Sequence, residues 1–191
     1  MGDVSATAPV VSMGVLSQDE AASAPPPAGL TSGPARRFGD AATWRFNVLG
    51  FYGDDFESGH FFGGAVSFTY FMVRNFSVDF ELGLAKFGQD GPDAWGGNFN
   101  ILLRWHFLAR DTWSLYVDGG VGFLKTNDDV PDNGSNYNFT PQLGVGASFD
   151  IGNDWRMMLG LRWHHISNAD TADSNPGRDS LLGYAGISVP F

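Results

Sequence analysis

From residue 44 to the last residue, large apolar side chains recur at every second position, and this alternation constrains the fold more than anything else in the chain. It falls into eight runs bounded by turn residues, approximately 44–52, 60–72, 75–87, 96–107, 112–125, 136–149, 154–167 and 179–191. A period of two is the signature of β-strands with two unlike faces. In the third run Phe76, Val78, Phe80, Leu82 and Leu84 share one face, and Ser77, Asp79, Glu81, Gly83 and Ala85 share the other. The seventh sets Trp155, Met157, Leu159, Leu161 and Trp163 against Arg156, Met158, Gly160, Arg162 and His164. No run sustains a helical period, so no substantial helix is expected among them.

The polar face decides which side turns inward. A water-soluble barrel would bury its large apolar face and wet the polar one. Here the polar face carries both signs, with Asp79, Glu81 and Asp118 against Arg45, Arg104, Arg156 and Arg162. Such a set pairs internally better than it solvates, and the Gly, Ala and Ser beside it suit the cramped lumen of a small barrel. Apolar outside and polar inside is the pattern of a transmembrane barrel. Very short links (Val73-Arg74, Ala109-Arg110-Asp111, Gly152-Asn153) alternate with longer ones (53–59, 89–95, 126–135 and 168–178), as periplasmic turns alternate with extracellular loops. The six Trp lie mostly near strand ends, where interfacial girdles are expected. The chain ends on Phe191 with Val189 and Ile187 on the same face, which resembles the C-terminal signature of outer-membrane barrels. The expected fold is an all-β, eight-stranded antiparallel up-and-down transmembrane β-barrel of the outer-membrane type. It occupies 43–191, with both termini periplasmic.

Composition removes other classes. A formal net charge of −10 argues against nucleic acid, whose phosphates require a basic surface. With no Cys, thiol chemistry, disulfides and Cys-based zinc sites are excluded. No stretch of about 18 apolar residues is present, so a transmembrane helix is not expected. Residues 1–42 are rich in Ala, Pro, Ser and Gly and are expected to be a flexible N-terminal segment. Residues 1–30 show neither the basic start nor the apolar run of a secretory signal.

Parity locates the chemistry. On the seventh run the outward positions are odd, so His165 and Ser167 continue the face of Trp163; on the eighth, Asp179 begins the face of Leu181 and Ile187. A His, a Ser and an Asp therefore converge on the lipid side of two neighbouring strands, flanking the last long loop. Polar groups facing lipid are costly, least so at the interface. Ser Oγ is a weak nucleophile until a neighbouring base takes its proton, and a carboxylate can hold the imidazole of that base in one tautomer. The set permits acyl transfer, with Asn175 or Asn168 as an amide donor to the oxyanion. Asp170 and Asp173 are alternative acids in the loop. His164 points inward beside Arg162 and is expected to be a structural hydrogen-bonder, as is His106; His60 carries no chemical signal. Asp128, Asp129 and Asp132 read as a solvated acidic loop rather than a Ca²⁺ site. Gly63-Gly64 and Gly119-Gly120 lie in strands with no following helix and are not phosphate loops.

The segment His165-Ile166-Ser167-Asn168-Ala169, followed by Asn175-Pro176-Gly177-Arg178-Asp179, resembles the lipid A 3-O-deacylase (PagL) family of outer-membrane acyl hydrolases. The resemblance is strongest over about 160–180. It implies a site on the outer wall facing the outer leaflet, with Ser167 as nucleophile, His165 as base and Asn175 in the oxyanion hole. It also implies lipid A of lipopolysaccharide as substrate, cleavage at the 3-O position, and no metal or organic cofactor. The family's acid is typically Glu where this chain has Asp179, a side chain shorter by about 1.5 Å. A homodimer is compatible with the sequence. The rival expectation, from a different class, is a non-catalytic barrel with a structural, lipid-binding or adhesion role.

Overall fold

A computed structural model describes residues 37–191. The expectation of flexibility for residues 1–42 lies outside these residues as far as residue 36. The described chain is a single antiparallel meander: β1 (Thr43–Asp54), β2 (His60–Val73), β3 (Phe76–Gly88), β4 (Ala94–Ala109), β5 (Trp113–Thr126), β6 (Tyr137–Phe139), β7 (Gln142–Asp150), β8 (Arg156–Ile166) and β9 (Arg178–Pro190). β1 pairs with β9, and the ring closes through consecutive neighbours, β4 pairing with β5.

Nine strands make eight staves, because β6 and β7 are halves of one. Phe139 opposes Phe123 on β5 and Gln142 opposes Gly120, which is one register carried through the gap. The gap is Thr140-Pro141, within a run that the alternation predicts to be continuous. Proline has no N–H to donate to a ladder. Thr140 keeps its backbone pair with Gly122 nonetheless, at 2.8 and 3.1 Å.

The two faces separate as the alternation predicts. Val48, Leu82, Phe99, Leu103, Val145 and Leu161 lie exposed on the outer wall, while Asp79, Glu81, Arg104, Asp118 and Arg162 are buried in the lumen. Arg104 Nη2 lies 2.9 Å from Asp79 Oδ2 and 3.1 Å from Asp118 Oδ2, and Arg162 Nη2 lies 2.9 Å from the same Asp118 oxygen. Tyr184 donates to that oxygen as well, at 3.1 Å. Tyr184 and Tyr116, whose hydroxyls lie 2.8 Å apart, need room for their rings, which Gly160 and Gly146 provide: a Cβ at Gly160 would fall onto the ring of Tyr184, and one at Gly146 onto that of Tyr116. Trp44, Trp105, Trp113 and Trp155 mark the short-turn end of the barrel, and Trp95 and Trp163 the long-loop end. These are the two levels at which interfacial aromatics sit.

Candidate active site

The site forms where β8 and β9 meet at the long-loop end. His165 is directly opposite Asp179 in the ladder, and Trp163 is opposite Leu181. Directly opposed side chains on one face have Cβ atoms about 4.5–5.5 Å apart, within reach of an imidazole and a carboxylate. His165 Nδ1 lies 2.8 Å from Asp179 Oδ1. A carboxylate only accepts, so Nδ1 carries the proton and the lone pair of the neutral ring is on Nε2. Asp179, although shorter than the Glu typical of the resembled family, thus contacts His165 directly.

Beyond Ile166 the chain leaves the ladder with β9 but not the wall. Phe139 and Ser167 exchange backbone hydrogen bonds of 2.7 and 3.1 Å, and the His165 N–H donates to Pro141 O at 3.0 Å. The stave broken by Pro141 therefore clasps both His165 and Ser167. A tight turn follows, closed by the Thr171 N–H to Asn168 O at 3.1 Å, with Ala169 at φ 53° and Asp170 at φ 58°. Two consecutive left-handed residues mark a turn of type I′ geometry, a conformation that non-glycine residues enter only where surrounding contacts hold them. Here the Ala169 N–H donates to Ser167 Oγ at 3.1 Å, and Asp170 Oδ1 accepts from Asn175 Nδ2 at 3.1 Å.

The Ser167 hydroxyl does not bond to His165; it donates to Asn175 Oδ1 at 3.1 Å. That assignment of the amide is fixed by a second donor, the Asn168 N–H, 3.1 Å from the same oxygen. The carbonyl oxygen of Asn175 thus faces the serine, and its NH₂ is turned to Asp170. Asn168 differs from expectation. Its parity is even, so its buried side chain points inward and donates to Ser174 O at 2.6 Å, and its carboxamide is not on the face of Ser167. Of the alternative acids, Asp170 is engaged by Asn175 and Asp173 is exposed in the loop. His164 is buried in the lumen as parity requires, but its Nδ1 has no hydrogen-bond partner and its ring packs on Phe61 at 5.1 Å. His106 does hydrogen-bond, Nδ1 to Ser114 Oγ at 2.8 Å. Among the described residues no cluster of three His, Asp or Glu is disposed to hold a metal ion.

Two features were not anticipated from the sequence. Trp163, read as an interfacial residue, donates its indole N–H to Asp179 Oδ1 at 2.8 Å. Buried Arg178 pairs with Asp55 Oδ2 at 3.1 Å, tying the β1–β2 loop to the start of the strand that carries Asp179. The spacing Trp-x-His held a signal for the first, since the two residues share a face, His165 opposite Asp179 and Trp163 diagonal to it. Nothing local signals the second.

From Ser167 an apolar surface runs around the outer wall: Phe139 opposite Ser167, Phe123 opposite Phe139, Phe99 opposite Phe123. The rings of Phe123 and Phe139 are 5.1 Å apart, and those of Phe123 and Tyr137 6.1 Å. Phe99, Phe123 and Tyr137 then line a shallow groove floored by Gly64 and Gly97.

The family model described as lipid A 3-O-deacylase (PagL) matches residues 61–188, about two thirds of the chain. A relative, lipid A deacylase PagL of Bordetella bronchiseptica, is 29% identical over 106 residues, which are 52% of this chain and 55% of the relative. The match thus spans about half the length of that relative. A crystal structure of the outer membrane enzyme PagL superposes with a TM-score of 0.59 at 20% identity, covering 76% of this chain and 99% of that one. Neisserial surface protein A gives 0.56 at 14% identity, over 78% of this chain and 96% of that one. At these identities the solved structures show a shared fold.

Proposed function

The chain belongs to the lipid A 3-O-deacylase (PagL) family, and from that premise we propose that it is an outer-membrane serine esterase that removes an ester-linked acyl chain, the 3-O chain by family resemblance, from lipid A. The observation that carries the reading is the 2.8 Å contact of His165 with Asp179 on the lipid-facing wall, two residues along that face from Ser167. Inside a barrel such a pair would be one more lumen contact; outside, it stands where an acyl ester arrives.

In this reading the Ser167 hydroxyl turns from Asn175 to His165 Nε2. Oγ then adds to the ester carbonyl carbon as its proton passes to Nε2, with Asp179 stabilising the imidazolium. The carbonyl oxygen becomes the oxyanion. Asn175 serves it by turning its NH₂ outward, a rotation that also releases the Asn168 N–H as a second donor. Collapse breaks the bond to the sugar oxygen, which leaves with the proton from Nε2. Water, deprotonated by His165, then frees the fatty acid and restores Ser167. The acyl chain lies along Phe139, Phe123 and Phe99 in the plane of the outer leaflet, so the ester reaches the serine without leaving the membrane. The reading requires the long loops outside and the short turns on the periplasmic side.

One observation favours a second reading, a non-catalytic lipid-binding barrel: Ser167 is bonded to Asn175 rather than to its base. Mass spectrometry of lipid A from cells carrying wild-type protein or Ser167→Ala separates the two. The esterase reading expects the deacylated species to vanish with the variant while its heat-modifiable migration, the mark of a folded barrel, persists. Deacylation that survives Ser167→Ala contradicts it.

A further inference from the structure

We infer that Trp163 is a positioning residue for the acid, an inference that rests on reading Ser167 as the nucleophile. Asp179 Oδ1 accepts two bonds at once, from His165 Nδ1 and from Trp163 Nε1, each at 2.8 Å. The Trp163 and His165 rings stack at 5.7 Å with an interplanar angle of 22°. The two N–H groups thus lie in nearly parallel planes and converge on one oxygen. Among the described residues this is the one indole N–H with a hydrogen bond to protein. A tryptophan serving only as an interfacial anchor would direct that donor to water or a lipid headgroup.

The carboxylate needs such help. The Asp179 side chain is 65% exposed, against 28% for His165. Held by the imidazole alone, an exposed carboxylate can rotate about its Cβ–Cγ bond and exchange its partner for water. A second donor on the same oxygen fixes the plane of the group and keeps Nδ1 occupied, so that the free lone pair stays on Nε2. The stacked indole adds a second effect, because its face favours the imidazolium that forms when Ser167 gives up its proton. Trp163 therefore acts through Asp179 and His165 and needs no contact with the reacting atoms.

Trp163→Phe removes the N–H and keeps a ring over His165, and Asp179→Ala removes the acceptor. The two substitutions, singly and together, are to be compared in purified protein acting on lipid A in detergent micelles, with Ser167→Ala alongside. Heat-modifiable migration verifies that every variant is folded. Trp163→Phe is expected to lower kcat about fivefold to twentyfold with KM within about twofold, the size of one charge-assisted hydrogen bond. In the Asp179→Ala background the same substitution should change kcat less than about twofold, because the group it positions is gone. Where turnover of the double variant is too slow to follow, the rate at which a fluorophosphonate labels Ser167 gives the same ratio. An equal fold-loss in both backgrounds, or a rise in KM with kcat unchanged, overturns the inference and makes Trp163 an anchor or a substrate contact. Activity surviving in Ser167→Ala would instead overturn the serine reading itself.

Discussion

Gly177, at φ +63°, sits where an added Cβ would stand 3.5 Å from His165 Cε1 and 3.9 Å from Nε2. That is ordinary contact distance, so an alanine fits but covers the Cε1–Nε2 edge of the imidazole, the edge that the proposed proton transfer uses. It also carries a left-handed penalty of about 1 kcal/mol. Gly177→Ala is expected to lower kcat about tenfold with the barrel still folded, measured as lipid A turnover beside heat-modifiable migration. Asp179→Ala should cost about hundredfold in kcat, since the base then loses its tautomer control. The loss of less than about threefold would mean that the acid is not part of the site. At this scale the sequence was partly legible. Parity alone put His165, Ser167 and Asp179 on one face, because the strand period leaves no other choice. It could not say which end of the Asn175 carboxamide meets the serine, which depends on the Asn168 N–H in the folded loop. Nor could it say that the Trp163 N–H finds Asp179.

Between elements, the junction of β6, β8 and β9 holds the site. Pro141, in the gap between β6 and β7, accepts from the His165 N–H through its carbonyl, and Phe139 clasps Ser167. The aromatic row from Phe139 to Phe99 then offers apolar area beside Ser167. Phe139→Ala should raise KM for lipid A in micelles about fivefold while kcat stays within about twofold, because it removes binding shared by ground and transition states. A fall in kcat with KM unchanged would place the acyl chain elsewhere. The alternation read the staves closely, yet it ran one strand through Thr140-Pro141. Proline at 141 was a visible reason to break the run, and the chemistry of that break became apparent only once β8 lay beside it. The Arg178–Asp55 pair was beyond reach for another reason: the two residues are far apart in sequence and meet only when β9 closes onto β1.

For the molecule as a whole, the lumen and the outer wall are separate stores of charge. Asp118 accepts from Arg104, Arg162 and Tyr184, so Asp118→Ala leaves two buried guanidinium groups short of a partner. Breaking a buried pair costs about 3–5 kcal/mol. The variant should therefore lose its heat-modifiable migration at lower temperature, with the kcat of the folded fraction within about twofold of wild type. Equal loss of activity would couple the lumen to the site. The opposed signs on the polar face were legible in the sequence, and so was their inward direction. The central claim, that the reactive serine of this barrel faces lipid on its outer wall, is tested most directly by locating a covalent adduct. After treatment with a fluorophosphonate in detergent, peptide mass spectrometry should find the label on Ser167 in the wild-type protein and none on it in His165→Ala. An unlabelled Ser167 in protein that still deacylates lipid A would contradict the account.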